Sequence, residues 1–224
     1  MRERLPQLGR ELWFPDPRRA QRGAMAGLVA IGGDLSVPRL LLAYRSGIFP
    51  WSVDPITWWS PDPRAIFDLP SFRPPRSLAR LLRRGAFTVT VNRAFRAVIE
   101  GCARPEHPRQ QWLTPPMIAA YVQLHEAGHA HSLECWAGGE LAGGIYGVAV
   151  GGLFAGESMF YRVSNASKVA LCHLIERLRA RGYALFDIQM VTPITGQLGA
   201  REISRLDYLA RLKRAVDLPC HFSD

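Results

Sequence analysis

The stretch that most restricts the fold is GGELAGGIYGVAVGGLFAGESMF, residues 138–160. Its glycines are distributed as hairpin glycines, at turns and close backbone approaches, so it reads as paired strands. Its apolar runs, like GLVAIGG earlier in the chain, fall far short of the ~20 residues that a membrane-spanning helix needs. The opening MRERLPQLGR lacks the apolar segment of a signal peptide. The expectation is a soluble, cytoplasmic protein.

Around that stretch, strands and helices alternate without a strict βαβ repeat. RAIFDL, FTVTVN, HAHSLECW and YALFDIQ read as strands, and PPRSLARLLRRG, TPPMIAAYVQLHEAG, NASKVALCHLIERLRARG and LDYLARLKRAV as helices. NRAFRAVIEGCA reads as a helix capped by Asn92. Together these give an α/β (α+β) domain around a mixed or largely antiparallel sheet, spanning residues 64–224. Residues 1–63 are rich in Pro, Gly and Trp and hold one clear helix, with Ser36 at its N-cap and Gly47 as its stop. They read as a small N-terminal domain with aromatic loops rather than a sheet of their own.

LHEAGHAHS, residues 124–132, spells the H-E-x-x-H signature of zinc peptidases through His125, Glu126 and His129. That signature works only on a continuous helix, where positions i and i+4 share a face. Gly128 is a natural helix stop, and His129 and His131 then alternate into the strand SLECW. The two histidines fall on different elements, and no metal is expected. The four cysteines have no metal-like spacing either and read as buried thiols.

Lys and Arg number 28 against 19 Asp and Glu, a formal charge of +9. Most of the cations are Arg, which suits bidentate phosphate contacts and raises the odds of a nucleic-acid partner. No P-loop, strand-linked GxGxxG or pyrophosphate string stands between a strand and a helix, so no nucleotide cofactor is expected.

Three places carry candidate chemistry. Glu157 follows a glycine-flanked strand end, and Ser164 or Asn165 opens a helix that offers free N–H groups to an anion. Asp187 and Gln189 alternate with Phe186 and Ile188 at a strand end, so both polar side chains point to one face. Phe49, Trp51, Trp58, Trp59 and Trp112 form an aromatic set suited either to stacking or to packing between domains.

The motifs, in order, are FPDP, GLVAIGGDLSVPRLLLAYRSGIFPW, WWSPDPRAIF, VIEGCA, LHEAGHAHSLECW, GGIYGVAVGGLFAGESMFYRVSNASKVAL, FDIQ and LGAREISRLDYL. Over nearly the whole chain they resemble the bacterial leucyl/phenylalanyl-tRNA–protein transferases. The resemblance implies an N-acetyltransferase-like domain without coenzyme A, joined to a smaller N-terminal domain. It implies transfer of Leu, Phe or Met from aminoacyl-tRNA to proteins beginning with Arg or Lys, marking them for N-degron proteolysis, with no cofactor and no ATP. Carried over by motif, Glu157 helps hold the substrates and Asp187 and Gln189 are the catalytic acid and amide. Gln189 is a very poor base, so the expected contribution of this pair is mainly positioning. Trp51 and Trp112 match tryptophans near the terminal adenosine. Ile145, Phe154 and Phe186 are the candidates for the donor side-chain pocket, although alternation could turn Phe186 into the core. Arg76, Arg80, Arg83 and Arg84 are candidates for acceptor-stem phosphates. A monomer is expected.

The chain departs from the family pattern at Ile188, where Cys is common and the side chain is expected to point away from the active face. It also departs at Thr195 and Gln197, which replace the usual His and Ser before LGA. Two rival readings stay open at this point: a related transferase with another acceptor, and a silent RNA-binding protein.

Overall fold

A computed structural model describes residues 5–103 and 112–223. The N-terminal region holds β1 (Gln7–Leu8), β2 (Leu28–Gly32), α1 (Val37–Arg45), β3 (Phe49–Val53) and β4 (Ile56–Trp59). Its strands form one sheet in the order β1-β2-β4-β3, which corrects the expectation of a region without a sheet. These strands are two to five residues long, one of them with a proline inside it, too short for alternation to register in the sequence.

The larger sheet is built from β5 (Arg64–Phe67), β6 (Thr88–Val91), β7 (Ala130–Ala137), β8 (Glu140–Val150), β9 (Leu153–Tyr161), β10 (Leu185–Gln189) and β11 (Arg201–Ile203). They lie in the order β11-β5-β10-β9-β8-β7-β6. Every neighbouring pair is antiparallel except β9 and β10. That parallel pair needs a crossover, supplied by α5 (Ala166–Ala180). The fold is thus a mixed, largely antiparallel α/β sheet with helices on both faces.

On one face, Ile145, Phe154 and Phe186 pack with Leu174 and Leu178 of α5 and with Leu78 of α2 (Arg76–Arg83). On the other, Tyr146, Val148, Leu153 and Leu185 join α1, α3 (Phe95–Cys102), α4 (Pro115–Glu126) and α7 (Arg205–Ala215). The remaining helix, α6 (Pro193–Gln197), follows β10.

Two local expectations resolve differently. α4 ends as expected, with Ala127 at its C-cap and Gly128 left-handed at φ 83°. His125 stacks on Phe95 with ring centroids 4.2 Å apart, while His129 lies beyond the helix, so the shared helical face is absent. Asn92, by contrast, does not cap α3. Ala94 holds that position, and the carboxylate of buried Glu134 on β7 accepts from the Ala94 N–H at 3.3 Å. Asn92 is left-handed instead, and its side-chain oxygen accepts from Ser132 N–H at 3.0 Å.

Candidate active site

β9 and β10 pair from Leu153–Leu185 to Ala155–Asp187, and their pairing stops there. Beyond that point both strands bulge. On β9, Gly156 stands opposite Gly147 and Ser158 opposite Tyr146, leaving Glu157 as the extra residue. On β10, Asp187 faces Ile66 and Gln189 faces Ala65, leaving Ile188 extra, and Gln189 is left-handed at φ 58°. Bulges bend a strand and re-aim its side chains. These two turn Glu157 and Gln189 toward each other across the widening gap, where Gln189 Nε2 donates to Glu157 Oε1 at 2.9 Å.

Asp187 lies behind this gap, fully buried. Its Oδ1 accepts from Arg64 Nε and from Gln189 N–H, each at 2.9 Å. Its Oδ2 accepts from Arg64 Nη2 at 2.6 Å and from Tyr208 Oη at 2.8 Å. All four acceptor positions of the carboxylate are therefore occupied. Arg64 is held in turn by Gly47 O at 3.1 Å and lies 4.9 Å from the Phe49 ring centre and 4.4 Å from that of Tyr208. Burial is the largest single influence on the guanidinium and pulls it down, but the charge and hydrogen bonding of Asp187, together with Tyr208 and Glu157, outweigh it and raise the group above its ordinary value.

Glu157 sits at the end of a different chain. Tyr121 Oη donates to its Oε2 at 3.1 Å, and Tyr121 Oη lies 2.5 Å from Tyr44 Oη. Burial lifts the Glu157 carboxyl to about 7; hydrogen bonds from Tyr44 and Tyr121 and the charge of Arg64 hold it down, and the charge of Asp187 adds to the rise. Burial likewise drives Tyr44 and Tyr121 well above the ordinary phenol value.

Two cavities meet at Glu157. One, of about 240 Å³, is lined by Trp51, Trp112, Phe49 and Gln189 among others. The second, of about 500 Å³, is lined by Ile145, Phe67, Met159, Leu171 and Thr195 among others. They share Glu157, Ile188, Met190 and Thr192. Ile188 thus corrects the expectation that it points away: as the bulge residue it lines both cavities instead of following the strand alternation. Asp187 lines neither. Phe154 and Phe186 also lie outside both linings, fully buried beneath them, with Phe186 stacked on the lining residue Phe67 at 5.5 Å.

Arg76, Arg80, Arg83 and Arg84 are all at least partly exposed. Arg80 and Arg84 line a third cavity of about 420 Å³ with Lys168, Asn165 and Gln197, adjoining the larger one at the shared residue Ile194. Asn165 occupies the N-cap of α5 in a left-handed conformation, without a side-chain cap bond.

Sequence reasoning passed over Arg64, Tyr208, Tyr44 and Tyr121. The one available signal was an arginine heading RAIF, a strand whose four residues are all buried, because a buried arginine requires a partner.

Residues 66–213 match the family model for leucyl/phenylalanyl-tRNA protein transferase, and residues 33–62 match the model for the N-terminal domain of that family. The leucyl/phenylalanyl-tRNA–protein transferase of Anaeromyxobacter sp. (strain K) is 51% identical over 217 residues, covering 95% of this chain and 92% of the relative. That of Syntrophobacter fumaroxidans is 48% identical over 219 residues, covering 96% and 92%. Among solved structures, L-PGS from Bacillus licheniformis aligns with a TM-score of 0.42 at 14% identity, over 74% of this chain and 57% of that one. Identity near one half, sustained over almost the full length of each sequence relative, decides the assignment: the chain belongs to the leucyl/phenylalanyl-tRNA–protein transferase family.

Proposed function

We propose that the two cavities hold the donor end of an aminoacyl-tRNA and that the acceptor amine enters where they meet. The overall reaction is transfer of Leu or Phe from tRNA to the N-terminal Arg or Lys of a protein, which marks that protein for N-degron proteolysis; Met is a further donor. The observation that carries this reading is the Glu157–Gln189 contact at the junction of the two cavities.

In this reading the terminal adenosine stacks on Trp51 and Trp112. The donor side chain enters the larger, apolar cavity beside Ile145, with Phe154 and Phe186 supporting its floor from beneath. Arg76, Arg80, Arg83 and Arg84 meet acceptor-stem phosphates, positioning the RNA without reading its bases. Asp187 acts by orientation: its contact with the Gln189 N–H fixes the bulge that presents the Gln189 amide. The acceptor's cationic side chain is drawn to the acid at the cavity junction.

The ester is already activated and the attacking α-amine has an ordinary pKa near 8, so proximity supplies much of the rate and ATP is not needed. The large domain, residues 64–224, is read as N-acetyltransferase-like without coenzyme A, and residues 1–63 as its smaller partner domain. The protein acts as a cytoplasmic monomer. In support of a location off the membrane, no helix among the described residues is long and apolar enough to cross one.

The test is transfer of labelled Leu from Leu-tRNA to a peptide beginning with Arg, without ATP and with chelator present. Peptides beginning with Asp and Ala are the controls. Label on the Arg peptide alone is expected. Transfer to Asp would point to another acceptor class, and tRNA binding without transfer would make the chain a silent binder.

A further inference from the structure

Aminolysis of an ester moves one proton: the attacking amine must lose it and the departing ribose oxygen must gain it. Asp187 is badly placed to carry that proton. Its four acceptor positions are filled by Arg64, Tyr208 and the Gln189 N–H, and it reaches neither cavity. Gln189 is a neutral amide whose Nε2 is committed to Glu157. Among the described residues lining the two cavities, Glu157 is the one carboxyl, and it lines both. Gln189, Tyr121 and Tyr44 fill three of the acceptor positions of this carboxylate, so that, unlike Asp187, it keeps one to offer.

We propose that Glu157 is the acid–base group of the transfer, taking the proton of the acceptor amine and delivering it to the terminal ribose oxygen of the tRNA. This rests on the aminoacyl-transfer reading above. The amine nitrogen bonds to the ester carbonyl carbon, and the bond from that carbon to the ribose oxygen breaks. The nitrogen's proton passes to a Glu157 oxygen and from there to the departing oxygen. The carboxylate is regenerated, and no oxidant, reductant or further reactant is consumed.

The surroundings suit the task. Tyr44 from α1, Tyr121 from α4 and Tyr146 from β8 enclose the carboxyl, all kept neutral by burial. Arg64 and Asp187 stand behind it as a mutually compensated pair. With burial raising the carboxyl to about 7, both protonation states are populated near neutral pH, the condition under which one group works as base and then as acid.

The experiment is single-turnover transfer from Leu-tRNA to an Arg-initiated peptide between about pH 5.5 and 9, for wild type, Glu157→Gln and Tyr121→Phe. Glu157→Gln is expected to lower the maximal rate at saturating peptide about 100-fold or more, beyond any weakening of peptide binding, and to lose an inflection near pH 7. Tyr121→Phe removes a hydrogen bond that holds Glu157 down, so its inflection is expected to move to higher pH. The peptide amine is the same in all three and cannot produce that movement. Tyr121→Phe also keeps the proposal testable if Glu157→Gln fails to fold.

A Glu157→Gln protein with wild-type rate, or one whose only defect is weaker peptide binding, overturns the proposal. So does an inflection that stays in place in Tyr121→Phe. Wild-type turnover beside an unaffected Glu157→Gln removes the acid–base role alone. A wild type that labels no peptide removes the transfer reading and this role with it.

Discussion

Arg64 and Asp187, 123 residues apart in sequence, meet as a two-pronged ion pair with neither side chain appreciably exposed. Removing one partner from a buried pair leaves an uncompensated charge, which typically costs about 3–5 kcal/mol. Arg64→Leu is therefore expected to destabilise the protein by about that amount in urea unfolding. Asp187→Asn retains the shape but loses the charge that holds Arg64. It is expected to reduce transfer while leaving tRNA affinity near that of wild type, because Asp187 reaches neither cavity.

Glu157 ties stability to pH. Its folded value of about 7 exceeds the ordinary 4.5, so between these values the folded state holds more of the proton than the unfolded chain does. Stability from this source is full below the unfolded value and is lost as pH rises through the folded one, on the order of 3 kcal/mol in all. Glu157→Gln cannot titrate. The unfolding free energy of wild type minus that of the variant is expected to fall as pH rises from 4.5 to 8, as read by denaturant titration at each pH.

Trp51 is 36% exposed at the rim of the smaller cavity. A base stacked on an aromatic ring contributes about 1–3 kcal/mol. Trp51→Ala is expected to raise KM for Leu-tRNA about 5- to 100-fold with little change in melting temperature. An unchanged KM would place the terminal adenosine elsewhere.

The arginines of α2 and its C-cap predict a salt effect. Each RNA phosphate that the protein no longer neutralises should lower the slope of log affinity against log salt by roughly 0.7–0.9. The double substitution Arg80→Gln, Arg84→Gln is expected to reduce that slope by roughly 1.5 in filter binding of Leu-tRNA, with no change in donor selectivity.

Gly147 faces Gly156 where β8 and β9 pass the bulge. A Cβ there would lie 2.3 Å from Ala155 O and 2.5 Å from the Phe154 ring. Gly147→Ala is expected to cost about 2 kcal/mol or more by forcing the strands apart, and to lower transfer by displacing Glu157. Gly9→Ala meets nothing within 4 Å and serves as the neutral control in the same thermal melts.

The large sheet was legible because β7, β8 and β9 run for 8, 11 and 9 residues, long enough for apolar patterning to register, and because Gly128 marks the end of α4. The N-terminal sheet was not, since its strands are only two to five residues long. At the site, Glu157 and Gln189 were visible as polar residues among glycines and aromatics. The bulges that bring them together were not, because glutamine is an unusual occupant of left-handed backbone and nothing local announces it. Tyr44 and Tyr121 sit on buried helical faces, where a tyrosine looks like any core residue. Arg64 was hidden by the long separation from its partner. Asn92 misled because an asparagine before a helical pattern resembles a cap, whereas α3 starts after Ala94 without a side-chain cap and Glu134 on β7 accepts from the N–H groups of Arg93 and Ala94.

Arg64 reaches back to Gly47 O, and the hydroxyl chain that ends at Glu157 begins with Tyr44 on α1. The first sixty residues thus complete the surroundings of Arg64 and Glu157 from outside the large sheet. A fragment beginning at Arg64 would leave the guanidinium without its backbone anchor and the Tyr121 hydroxyl without its partner Tyr44. A chimera between homologues is therefore expected to keep its chemistry only where the anchor at Gly47 and the hydroxyl at Tyr44 meet matching partners across this seam.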